Sequence, residues 1–185
     1  RGIHSQNKVS EVAYTGQRCA LNLVGMNVEK SSISRGDWIL SKELHFPSNC
    51  MDAVISVSLN EKKPLKSWTR AHLHLGSSKI ICRVITLEDK EIMPGCNGLV
   101  QLKLEQETSS SFEDRFILRD QSAKRTVAGG RIIDPFSIPK DRSKLERIED
   151  LHIMSKHEHK VVLTLLLSKK TWGIDLIKFS VRRNL

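Results

Sequence analysis

The sequence predicts a mainly β protein with an α-helical C-terminal segment, and three observations carry that reading. Short β-branched runs, separated by clusters of Gly, Asn and Ser, recur between residues 45 and 134. Pro135 and Pro139 then hold the chain extended. Beyond them, apolar residues change from a spacing of two to a spacing of three and four, which is the helical period. Three zones follow: residues 1–44 as the closing part of one β-barrel, 45–139 as an antiparallel barrel, and 140–185 as a helical segment opening a helix-turn-helix or winged-helix extension.

In the first zone Gly16-Gln17-Arg18 opens a strand that runs through Cys19-Ala20-Leu21-Asn22-Leu23, and Arg35-Gly36-Asp37-Trp38 closes a turn. Alternation sends Cys19, Leu21 and Leu23 to the core and Arg18, Ala20 and Asn22 to the other face. The zone reads as a barrel end without its beginning, and the chain as a piece of a larger protein. In the second zone strands are expected at 50–59, 71–75, 80–85, 99–104, 116–120 and 126–134, with Gly129 and Gly130 permitting a bulge or tight bend. In the third, Asp141 or Ser143 caps a helix whose shared face holds Leu145, Ile148, Leu151 and His152. A second helix over about 158–169 presents Val161, Val162, Leu165 and Leu166. Trp172-Gly173-Ile174-Asp175 is a turn, and a third helix over 176–185 uses Leu176, Ile177, Phe179 and Val181.

Composition narrows the function. At 185 residues, 39% hydrophobic and 28% charged, the chain can fill one or two small cores. A net charge of +9 favours polyanionic partners. The longest apolar run, Val161 to Leu167, falls far short of the roughly 20 residues of a membrane span. No secretory leader pattern opens the chain, so the expected compartment is the cytoplasm, with no membrane partner. Cys19, Cys50, Cys82 and Cys96 are widely spaced, with no C-x-x-C pair and apolar neighbours, and are expected as buried free thiols, with no disulfide framework or zinc site.

Catalytic signatures do not stand out. There is no G-x-x-x-x-G-K-[ST], so nucleotide phosphates find no P-loop here, and neither G-x-S-x-G nor H-E-x-x-H occurs. The chain itself is read as no enzyme. His72 and His74 form an H-x-H on the strand face opposite Leu73 and Leu75, formally a metal-ligand spacing, but no third ligand is nearby, which points to a surface or a domain contact. Arg18, beside small and polar neighbours, suits an anion, but on the residues alone a plain surface arginine at a strand start is the better reading. The basic tail, from Lys156 and His157 to Arg182 and Arg183, leaves RNA contact and simple solvation both open.

Two blocks resemble one family. Gly16-Gln17-Arg18-Cys19-Ala20-Leu21-Asn22-Leu23 through Ile33-Ser34-Arg35-Gly36-Asp37-Trp38 is similar to the end of the second domain of translational GTPases. Arg115-Phe116-Ile117-Leu118-Arg119-Asp120, with Thr126-Val127-Ala128-Gly129-Gly130-Arg131-Ile132-Ile133-Asp134, resembles the third-domain barrel of the selenocysteine-specific (SelB) factors, whose third domains also carry a strand similar to Leu73-His74 and its neighbours. The resemblance implies elongation-factor-type barrels: the end of domain II over 1–44, domain III over 45–139, and the start of the winged-helix region over 140–185. It implies a parent that delivers selenocysteyl-tRNA to the ribosome at UGA codons, with GTP and Mg²⁺ in an N-terminal domain outside this chain, and contact with the mRNA hairpin through further C-terminal modules. It places Arg18 in the aminoacyl pocket, where an ionised selenol would distinguish selenocysteine from serine, and makes Arg119, Lys124, Arg125 and Arg131 tRNA phosphate contacts. A barrel of the elongation factor Tu type, and a stand-alone RNA-binding or regulatory protein with a helix-turn-helix, are the alternatives. The helical tail speaks against the first, and the unfinished first barrel against the second.

Overall fold

The computed structural model describes residues 2–5, 8–24, 33–42, 45–139 and 144–185, so the two cap positions named above, 141 and 143, lie outside it. The chain divides into two compact units, Arg1–Asp37 and Trp38–Leu185.

In the first unit β1 (Gly2–Ser5) lies between β2 (Lys8–Ser10) and β3 (Cys19–Asn22) in an antiparallel sheet. Both predicted glycine turns are present. Gly16 sits at φ 84°, and the Gln17 side chain accepts from the Tyr14 amide at 2.9 Å. Gly36 sits at φ 110°, and Asp37 accepts from the Ser34 amide at 2.6 Å. The expected burial of Cys19, Leu21 and Leu23 does not occur: Cys19 is exposed, and the two leucines remain 42% and 40% exposed. Alternation assigns residues to faces, but burial needs a second layer, and among the described residues of this unit none stacks on the sheet.

The second unit is built on β4 (Ser48–Val57), β6 (Thr69–Leu75), β7 (Ser78–Thr86), β9 (Asn97–Thr108), β10 (Arg115–Arg119) and β11 (Thr126–Asp134), with β5 (Leu65–Lys66) and β8 (Glu91–Ile92) as a small side ladder. The six long strands close a barrel in the order β10-β11-β4-β9-β7-β6, every neighbour antiparallel. Period-two alternation fills its interior. Met51, Ala53, Ile55 and Val57 point inward from β4, and Ala71, Leu73 and Leu75 do so from β6. Cys82, Val84, Leu102, Phe116, Leu118 and Ile132 complete the packing. Burial pushes the Cys82 thiol up to about 12, so it is an apolar filler. Cys50 is buried as expected, whereas Cys96 is exposed in the turn before β9.

Gly129 and Gly130 do not form the expected bulge. The register shifts fall between Leu118 and Arg119 and between Ile132 and Asp134. Gly130 instead allows close approach: a Cβ there would meet the Val54 carbonyl at 2.5 Å and the Phe116 ring at 2.7 Å.

Three helices follow: α1 (Leu145–Met154), α2 (His159–Lys169) and α3 (Leu176–Arg183). Leu151 and Ile148 of α1 pack on Leu87, Leu99, Ile133 and Val54, on the outside of the barrel wall. Met154, Val162 and Leu166 form a further cluster with Ile153, Ile174 and Phe179. The expected faces are partly corrected. Leu145, Leu176 and Ile177 are exposed, and the buried residue of α3 is Arg183, one turn on from Phe179. Asp175 caps α3 by accepting from the Lys178 amide, and Gly173, at φ 82°, makes the preceding turn. Among the described residues no helix is long and apolar enough to cross a membrane.

Gly130→Ala should lower the unfolding free energy by about 1–3 kcal/mol, because the new methyl overpacks against backbone. Gly129→Ala, whose Cβ meets nothing closer than 3.9 Å, should be neutral or slightly stabilising. Denaturant melts of the two variants check this.

Candidate nucleic-acid interface

The alternation that sends leucines inward sends cations outward on three adjoining strands. On β6 the outward residues are Arg70, His72 and His74; on β7 they are Lys79, Ile81 and Arg83; on β10 they are Arg115, Ile117 and Arg119. Pairing sets Arg119 against His72, Lys79 against His74, and Arg70 against Arg83, which in turn faces Lys103 of β9. Of the outward acids of β9, Glu107 is exposed and Glu105 meets Arg70 at 2.9 Å with both side chains about half exposed, an ion pair of little strength. The net result is a basic patch on a rigid wall.

Inside the patch, polar atoms lack partners. The Nε2 atom of His72 lies 3.2 Å from the Gln121 carbonyl, but among the described residues its Nδ1, the Nε2 of His74 and the Nε of Arg119 are buried without a hydrogen bond. Burial, and then the nearby Arg119, Lys79 and His72, hold the His74 imidazolium below its ordinary pKa.

The loop between β10 and β11 borders this face. The Asp120 carboxylate organises it, accepting from Ser122 Oγ at 2.5 Å and from the amides of Lys124 at 2.8 Å and Arg125 at 3.0 Å. Those bonds, Ser122 first, draw the Asp120 pKa down to about 2. Ala123 takes a left-handed conformation, φ 52°, at the loop tip.

The four cations predicted to meet phosphate therefore stand in different settings. Arg119 lies within the patch, and Lys124 projects from the loop with its side chain exposed. Arg125 pairs with Glu61 at 2.9 Å and keeps 60% of its side chain exposed. Arg131 is committed elsewhere: it meets Glu113 and donates to the Ser155 carbonyl at 2.6 Å, tying β11 to the end of α1. Arg18 lies just before β3 in the first unit, exposed, and makes no hydrogen bond or ion pair among the described residues. Among those residues no cluster of His, Cys, Asp and Glu is suited to a metal ion.

Much of the basic tail is internally paired. Lys169 reaches Glu149 at 2.8 Å and Asp150 at 3.1 Å, and Lys170 reaches Asp150 at 3.1 Å. Sequence reasoning missed the arginines that join helices to barrel. Arg147 donates to Asp52 at 2.7 Å, Ser137 at 2.8 Å and the Ile138 carbonyl at 2.9 Å. Arg182 approaches the buried Asp134 at 3.5 Å, whose pKa burial pushes up. Arg183, 2% exposed, stacks 3.7 Å over the Phe112 ring and donates to the carbonyls of Met154, Lys156 and His157. Its +4 spacing from Phe179 is the one signal that could have marked it.

Comparison with known proteins gives this geometry its family. The model of the selenocysteine-specific elongation factor β-barrel domain matches residues 52–139. The selenocysteine-specific elongation factor of Escherichia coli K12 is 38% identical over 133 residues, covering 72% of this chain and 20% of that protein. The chain belongs to the selenocysteine-specific elongation factor family. The factor of Desulfomicrobium baculatum is 33% identical over 73% of the chain and 21% of its own length, and that of Haemophilus influenzae 28% identical over 89% and 26%. The chain thus spans about a fifth to a quarter of the curated relatives it matches. A crystal structure of a bacterial selenocysteine-specific elongation factor, EF-Sec, superposes on all of the chain with a TM-score of 0.72 at 19% identity, over 28% of that structure. This likeness shows the fold: a mainly β chain with a six-stranded barrel and three C-terminal helices.

Two outcomes follow. Asp120 has a depressed pKa, so its contribution is present above the ordinary value of 3.8 and is lost as pH falls through about 2. The Lys124 and Arg125 amides should lose hydrogen-exchange protection in that window and keep it above. Arg183→Ala should cost about 2–4 kcal/mol, since it strands buried carbonyls, and should speed amide exchange in the 155–158 turn.

Proposed function

We propose that this chain supplies the tRNA-gripping barrel and the mechanical link of a factor that delivers selenocysteyl-tRNA to the ribosome at UGA codons, in the cytoplasm and at the expense of GTP. The carrying observation is the outward basic face of β6, β7 and β10 on a barrel of the selenocysteine-specific family. A rigid wall with spaced cations suits RNA backbone, recognised by shape and charge. Arg119, Lys124 and Arg125 meet phosphates in this reading, while Arg131 holds the helical segment and acts only through it.

Arg18 is assigned to the aminoacyl pocket. A selenol is more acidic than a thiol, whose pKa is near 8.5, so selenocysteine arrives as an anion and serine does not. A guanidinium then separates the two by charge. The chain carries no Gly-rich phosphate loop, so its residues do not fit GTP or Mg²⁺, and hydrolysis falls to another domain of the whole factor. The docked helices α1–α3 lead toward the modules that hold the mRNA hairpin, and their presence favours this reading over a barrel of the elongation factor Tu type.

In the whole factor, Arg18→Ala should weaken selenocysteyl-tRNA binding about tenfold more than seryl-tRNA binding, the scale of one lost charge contact. An unchanged ratio removes Arg18 from the pocket. Arg119→Ala and Lys124→Ala should weaken both tRNAs alike and each lower the salt dependence by about one counterion. Filter binding across a salt series reads both effects.

A further inference from the structure

The paired outward positions of β6 and β10 hold an arrangement that charge alone does not explain. His72 and Arg119 are direct cross-strand partners, and His74 lies two residues along on the same face. The Gln121 carbonyl beside His72 Nε2 can only accept, so Nε2 is the donor of that contact. Among the described residues the Nδ1 of His72, the Nε2 of His74 and the Nε of Arg119 are buried without a hydrogen-bond partner. The groups facing these rings are Ile81 and Arg119 for His72, and Lys79 and Ile117 for His74; none is a carboxylate. Further along β6 stands Arg70, with its ion pair to Glu105. Apart from the Gln121 carbonyl, the groups that face these rings are cationic or apolar.

A bare imidazole nitrogen repels an oxyanion, and a second proton turns it into a charged donor. We infer that His72, His74 and Arg119 form an oxyanion site for an RNA backbone phosphate, and that the phosphate is taken up together with a proton. The inference rests on the RNA-binding reading above and adds the linkage to it. Before the ligand arrives, burial and the flanking Arg119 and Lys79 disfavour the charged form of His74. A phosphate reverses that electrostatic balance and favours the protonated ring. The sign follows: the face binds RNA more tightly as pH falls, because the bound state holds more protons than the free state.

The test uses the whole factor and a fluorescein-labelled tRNA, with affinity measured at constant ionic strength from about pH 8 to about pH 5.5, the span of histidine titration. Affinity should rise as pH falls, approaching tenfold per unit for each proton taken up. The double variant His72→Gln/His74→Gln should flatten the profile, while Arg119→Lys should weaken binding at every pH and keep the slope. Calorimetry of the wild type in buffers of different ionisation enthalpy should show proton uptake. RNA binding that is independent of pH, or a slope that survives in the folded double variant, would overturn the linkage while leaving the RNA-binding reading intact. No binding at any pH would overturn both.

Discussion

Closure of the barrel through the β10–β6 pairing is the constraint on which the rest depends. Without it, β6 and β10 would be open edges, with unpaired amides and carbonyls inviting another strand. With it, alternation becomes a statement about an inside and an outside on every strand. Leu73 and Leu118 meet inside the wall, and His72 and Arg119, their immediate neighbours in sequence, are forced together outside it. The core and the basic face are therefore one arrangement seen from two sides. The same ladder that excludes water from the leucines fixes the spacing of the cations.

The helical segment sits on the opposite kind of surface. Where α1 meets the barrel, the wall offers Leu87, Leu99 and Ile133, and the apolar contact is framed by arginines. Arg147 answers Asp52, Arg182 answers Asp134, and Arg131 and Arg183 bind carbonyls around the α1–α2 turn. Buried carboxylates such as Asp52 and Asp134 are costly unless paired. Helix and barrel each complete a polar set the other leaves open, which makes their relative position specific instead of merely sticky.

Strand positions over 45–134 were legible because every strand there has one buried face, and a two-residue period records it directly. The closing partner was not legible. Nothing local in 69–75 says that it will pair with 115–119, since that choice is made by the topology of the whole barrel. The outward set Arg70, His72 and His74 could be read from alternation, but its union with Arg119 could not. In the first unit, alternation was present at Cys19, Leu21 and Leu23 without a second layer to bury them. In α3 apolarity misled for a different reason. Leu176 and Ile177 are apolar but face away, and the docking face is set by Phe179 and a buried arginine whose carbonyl acceptors lie 26 to 29 residues earlier.

Arg183 binds three main-chain carbonyls and one side chain, the His159 ring nitrogen at 3.0 Å. Carbonyl oxygens are supplied by every residue type, so Met154, Lys156 and His157 enter its coordination without their side chains being specified. Drift can therefore rewrite Lys156 while the joint keeps its shape, whereas Met154 is held by its own packing on Val162 and Leu166. The cost of this freedom is concentrated in one guanidinium, whose planar fork no other side chain reproduces. Among homologous chains the joint should be recognisable by an arginine kept together with the ring it stacks on and the histidine it donates to.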